Sequence, residues 1–103
     1  MSVALVGSEL LDREHHKIGK VADIIPDPVS LHPEFLEVKI GMLGRKRLVP
    51  IAAIDPHEEG LTVDLDAEQV KHAPQVEYDA APTQHEREML YDHYGVEPPA
   101  EVP

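Results

Sequence analysis

The stretch FLEVKIG, Phe35–Gly41, alternates its side chains with a period of two. Leu36, Val38 and Ile40 fall on one face, Phe35, Glu37 and Lys39 on the other. That is the pattern of a half-buried β-strand, because successive strand side chains point to opposite faces. LTVDL, Leu61–Leu65, repeats it with Leu61, Val63 and Leu65 inward. KIGKVADII, Lys17–Ile25, is apolar on both faces and contains Gly19, which marks a sharply bent or bulged strand. RLVPIAAI, Arg47–Ile54, reads as a further strand in which Pro50 imposes an edge or a bend.

The joints between these segments carry turn chemistry. PDPVSLHP, Pro26–Pro33, holds three prolines and excludes a regular element. GMLG, Gly41–Gly44, and DPHEEG, Asp55–Gly60, have the composition of hairpin loops. Several short strands joined in this way imply a small barrel or sandwich. Two helices are expected after them. The first runs from Ala67 to about His72, with Asp66 as N-cap and Gln69 at the capping-box position, and ends before Pro74. The second covers Gln84–Tyr94, with Thr83 and Glu86 as a capping box and Gly95 as the stop. Met89, Leu90 and Tyr94 form a narrow apolar stripe on it. The expected organisation is a barrel over residues 1–74, an extension over 75–95 with its helix at 83–94, and a flexible proline-rich tail over 96–103.

The chain has 103 residues, enough for one domain with a modest core. It has no cysteine, which excludes disulfides, thiolate metal sites and cysteine nucleophiles. The start, MSVALVGSELL, has no basic region and too short an apolar run for a signal peptide, so a cytoplasmic location is expected. Charge is split unevenly. Residues 1–50 hold seven basic and seven acidic residues. Residues 51–103 hold only Lys71 and Arg87 against thirteen acids, and carry the whole net charge of −11. Broad nucleic-acid binding is not expected of such a chain, because phosphate neutralisation needs clustered positive charge.

Taken together, GSELLDREHHKIGKVADIIPDP, FLEVKIGMLGRKRLVPIAAI, LTVDLDAEQVKHAP and YDHYG resemble a stand-alone bacterial protein of the PRC-barrel family. That family is named for the photosynthetic reaction-centre H subunit and includes the C-terminal domain of the ribosome maturation factor. Its usual pattern is an Asp, two turn positions including a Gly, then Ile-Gly-Lys-Val. Asp12, Ile18, Gly19, Lys20 and Val21 match it, and Leu48–Pro50 and Ala67–Pro74 match later signatures. The resemblance implies an all-β barrel of five or six strands with one or two short C-terminal helices, acting as a docking module. It implies no enzyme activity and no cofactor. His15 stands about where the family places a turn glycine, so it is expected at positive φ, where histidine is among the more tolerated residues.

Adjacent His15 and His16 would point to opposite faces of a strand and do not make a metal site of three or four converging ligands, so none is expected. HEREM, His85–Met89, has Met89 where a zinc-protease helix needs its second histidine. Neither Ser8 nor Ser30 sits in a nucleophile elbow. GMLGRKR, Gly41–Arg47, concentrates Arg45, Lys46 and Arg47 on one hairpin and is the candidate anion or partner contact. Tyr78, Met89, Leu90, Tyr91 and Tyr94 are the candidate self-association residues. The resulting expectation is a non-catalytic interaction or assembly module, a homodimer, without nucleic-acid binding or membrane insertion. An RNA- or ribosome-associated adaptor using the Arg45–Arg47 hairpin is the alternative, and a small-ligand binder or enzyme the third.

Overall fold

A computed structural model describes residues 5–75 and 82–98. Its strands are β1 (Glu9–Leu11), β2 (Lys17–Pro26), β3 (Pro33–Ile40), β4 (Arg45–Pro50) and β5 (Leu61–Thr62). Two helices follow, α1 (Ala67–Lys71) and α2 (Gln84–Tyr94). The strands pair in the order β4-β3-β2-β1-β5, antiparallel except for the parallel β1–β5 pair. The fold is mainly β with two short C-terminal helices, as expected.

The ladder itself does not close into a barrel. β4 and β5 share no strand pairing, and a single bridge, Ile54 opposite Val63, joins the two ends. Around it the Asp55 N–H donates to the Thr62 carbonyl at 2.8 Å, and the Asp64 N–H to the Ala53 carbonyl at 2.9 Å. The reason lies at Pro50, the end of β4. The chain turns there into a short 3-10 segment, Ile51–Ala53, so the strand expected over Arg47–Ile54 stops four residues early. β1 was not recognised in the sequence at all; three residues are too few to show a period.

β3 departs from a half-buried strand. Leu36 and Val38 are fully buried on one face, yet Phe35 and Glu37 on the other are buried too. The reason is α2, whose Tyr91 ring packs on Phe35 with centroids 5.4 Å apart. The core thus combines a sheet interior of Leu10, Val21, Leu36, Val38, Val49 and Val63 with Leu90, Tyr91 and Tyr94 from the helix. Each fully buried aliphatic side chain contributes about 2 kcal/mol relative to exposure.

Both helices are capped as the sequence implies. In α2 the Glu86 N–H donates to Thr83 Oγ1 at 3.1 Å and the Thr83 N–H to Glu86 Oε1 at 2.8 Å. Gly95 follows in the left-handed region at φ 66°. In α1 the Asp66 N–H donates to Gln69 Oε1 at 3.0 Å.

Gly19 has a packing reason beyond the bend expected for it. Register shifts do flank it, both with the extra residue in β2: Ile18 opposite Leu10 and Leu11 of β1, and Ala22 opposite Glu37 and Val38 of β3. A Cβ at Gly19 would also run into the backbone carbonyl of Lys39 on β3. Because the obstacle is backbone, one strand must move. Gly19→Ala is therefore expected to destabilise the protein by about 2–3 kcal/mol, read as a lower urea midpoint with an unchanged slope. An unaltered midpoint would show that β2 and β3 are not held this close.

Candidate functional site

The basic hairpin between β3 and β4 does not present its three cations alike. Arg47 is buried, at 8% exposure. Its Nε donates to the Lys71 carbonyl at 3.3 Å and its Nη1 to the Lys46 carbonyl at 2.9 Å. Arg47 therefore ties the end of α1 to β4 and is not available as an open anion grip. Lys46 lies 3.6 Å from Glu37. Arg45 is exposed. Sequence proximity does not tell these cations apart: Arg45 and Arg47, two apart on β4, share a face, yet the end of α1 meets Arg47 while Arg45 stays exposed.

What the sequence did not reveal is the tip of the same hairpin. Met42 and Leu43 are 103% and 85% exposed. They border a groove of about 340 Å³ lined also by Ile40, Arg45, Lys71 and His72, with no acid among its lining residues. In register, Lys20, Lys39 and Lys46 lie directly opposite one another across β2, β3 and β4. Like charges so placed repel. This part of an otherwise acidic chain is therefore basic, with an apolar point.

The β1–β2 turn explains the paired histidines. His15 takes φ 67°, as expected from its place in the turn. Asp12, 4% exposed, holds that turn through Oδ1, which accepts the N–H of His16 at 2.8 Å and of Glu14 at 2.9 Å. Burial works against its charge, but these backbone donors prevail and hold its carboxyl below the usual value. Asp12, Glu14 and His16 bring ligand-type atoms within 4.8 Å of one another. One Asp12 oxygen already serves two backbone donors, so this grouping is first a turn. His15 Nε2 meets Glu58 Oε2 at 2.8 Å, which ties the turn to the β4–β5 loop.

The α2 helix is latched to its own chain. Glu34, 5% exposed, receives Arg87 Nη2 at 2.7 Å and Nε at 3.0 Å, and the Tyr91 hydroxyl at 2.9 Å. Arg87 Nη1 donates to Gln84 Oε1 at 2.8 Å, and Asp27 lies 3.6 Å away. The Tyr94 hydroxyl donates to the Leu48 carbonyl at 2.8 Å. His93 Nε2 lies 2.7 Å from the Gln69 carbonyl oxygen. Of the candidate self-association residues, Leu90, Tyr91 and Tyr94 are buried against their own chain, and Met89 remains 41% exposed. Tyr78 lies outside the described residues.

Glu34, Asp27 and Gln84 were missed in the sequence. The available signal was Arg87, the one arginine in residues 51–103, a helical turn before Tyr91. Nothing in the sequence named its partner fifty-three residues away. No buried side-chain nitrogen or oxygen among the described residues lacks a hydrogen-bond partner.

Residues 3–70 match the family model of the PRC-barrel domain. No curated protein matches the chain.

Two expectations follow. Burial pushes both the Tyr91 and the Tyr94 phenol well above the ordinary value of 10.0, and Tyr91 is raised further by its bond to Glu34. The folded values exceed the unfolded one, so this contribution is complete below pH 10.0 and is lost as the pH climbs beyond it. Urea midpoints should fall between about pH 8 and about pH 11, and fall less steeply in Tyr94→Phe. Equal slopes in the two proteins would contradict the burial of Tyr94. Separately, His15→Gly should shift stability by no more than about 0.5 kcal/mol, because relief at positive φ offsets the loss of an exposed ion pair. A large loss in thermal melting would mean that the Glu58 contact matters more than the turn.

Proposed function

The chain belongs to the PRC-barrel family, and from that premise we propose that it is a non-catalytic protein-interaction or assembly module that associates with itself. The observation carrying this reading is the β3–β4 hairpin, whose Met42 and Leu43 stand fully in water beside cations. Contiguous exposed apolar side chains rimmed by charge are typical of docking surfaces. The acidic half of the chain, with thirteen acids against two cations, supplies a surface of opposite sign on the same molecule. No helix among the described residues is long and apolar enough to cross a membrane, so a docking role need not involve insertion by a helix.

The RNA-associated alternative has less support. Of its three residues, Arg47 is engaged with backbone carbonyls and Lys46 lies beside Glu37. Phosphate binding gains from each cation it can neutralise, and one exposed arginine is a small share.

Light scattering at tens of micromolar protein is expected to give twice the monomer mass, unchanged by nuclease. A monomer mass throughout that range would end the self-association reading. A nucleic-acid complex that survives physiological salt would favour the alternative.

A further inference from the structure

The geometry points to a specific mode of self-recognition: the Met42–Leu43 tip of one copy inserts into a groove on α2 of a second copy, and the reverse. This rests on the self-association reading and goes beyond it by naming both surfaces. The receiving groove has a volume of about 390 Å³. It is lined by the acids Glu88, Asp92 and Glu97 and by the apolar Val96 and Pro98; Tyr91 borders it but is itself buried. Its one cation, Arg87, is already held by Glu34 and Asp27. The groove therefore presents negative charge around apolar side chains.

The hairpin presents the converse. Its tip is apolar, and the groove beneath it carries Arg45, Lys71 and His72 with no acid in its lining, Glu68 lying outside it at 3.5 Å from Lys71 and 3.8 Å from His72. Met42 and Leu43 are almost wholly exposed, so neither is seated in the α2 groove of its own chain. An open groove beside a protruding tip cannot enclose a small ligand, which needs most of its surface buried. A tip that protrudes is complementary in shape to a concave partner, and α2 offers one of opposite charge. Reciprocal insertion uses each surface once per copy, which is the requirement for a closed two-fold dimer. Two chains of net charge −11 repel at long range, but salt screens charges more than about 8 Å apart at physiological strength, so the local contact decides.

The test uses sedimentation of four full-length proteins, the wild type and three variants. Arg45→Glu sets an acid against the acidic groove. Asp92→Arg sets a cation against the basic hairpin, and an arginine in the last turn of α2 suits the helix dipole, so folding is unaffected. Leu43→Asp removes the apolar point without any change of groove. Each should weaken dimerisation by about tenfold or more. An equimolar mixture of Arg45→Glu and Asp92→Arg should form a heterodimer, because every hairpin then faces a groove of opposite sign. If the wild-type chain is dimeric and the three variants dimerise equally well, the interface lies elsewhere and this inference fails while self-association stands. If the variants weaken the dimer but the mixture does not restore it, hairpin and α2 groove do not meet. A monomeric wild-type chain would remove both readings.

Discussion

The carboxylate of Glu34 is withdrawn from water at the start of β3, and the tertiary arrangement follows from what that requires. A buried, unpaired carboxylate is far costlier than a buried pair. Arg87 answers it with a forked contact, Nη2 at 2.7 Å and Nε at 3.0 Å, and Tyr91 adds a hydroxyl at 2.9 Å. The hydrogen bond to Glu34 is the first reason that the Arg87 guanidinium holds its proton even more firmly than usual. Both partners come from α2, so satisfying one charge fixes the helix against the sheet. Once there, Tyr91 covers Phe35 and Leu90 enters the core.

The same docking closes an edge. β4 is an outer strand of the ladder, and an open edge offers unpaired carbonyls to any passing strand. The Leu48 carbonyl is taken by the Tyr94 hydroxyl and the Lys46 carbonyl by Arg47. Recognition by strand addition is thereby discouraged at β4. Side chains beyond the end of the ladder, above all Met42 and Leu43, remain as the projecting surface. This separates two roles that lie two residues apart in sequence: Arg47 holds the fold together, while Arg45 faces solvent.

Charge is organised on the same principle. Cations of the first half are engaged by acids of the chain: Arg13 by Asp64 and Asp66, Lys17 by Glu9. Exposed pairs of this kind contribute little to stability, each about 0–1 kcal/mol. Their effect is on the field, since they neutralise much of the first half and leave the basic character concentrated around the β3–β4 hairpin.

Local signals settled what local physics governs. The period-two runs at Phe35–Gly41 and Leu61–Leu65 placed two segments in the sheet, although β5 itself is only Leu61–Thr62. The Thr83–Glu86 box and Gly95 bounded α2 to the residue, because capping is decided within a few positions. His15 was expected at positive φ from the family resemblance, which puts a turn glycine about there, and it takes φ 67°. Tertiary structure decided the rest. It decided that the ring is joined by one Ile54–Val63 bridge and that β3 is buried on both faces. It decided that Leu90, Tyr91 and Tyr94 serve their own chain, and that Arg47 is an internal tie. Each of these depends on contacts between residues far apart in the chain. Glu34 with Arg87 and Tyr94 with Leu48 are such contacts, and a sequence period reports which face a side chain takes but not what comes to lie against it.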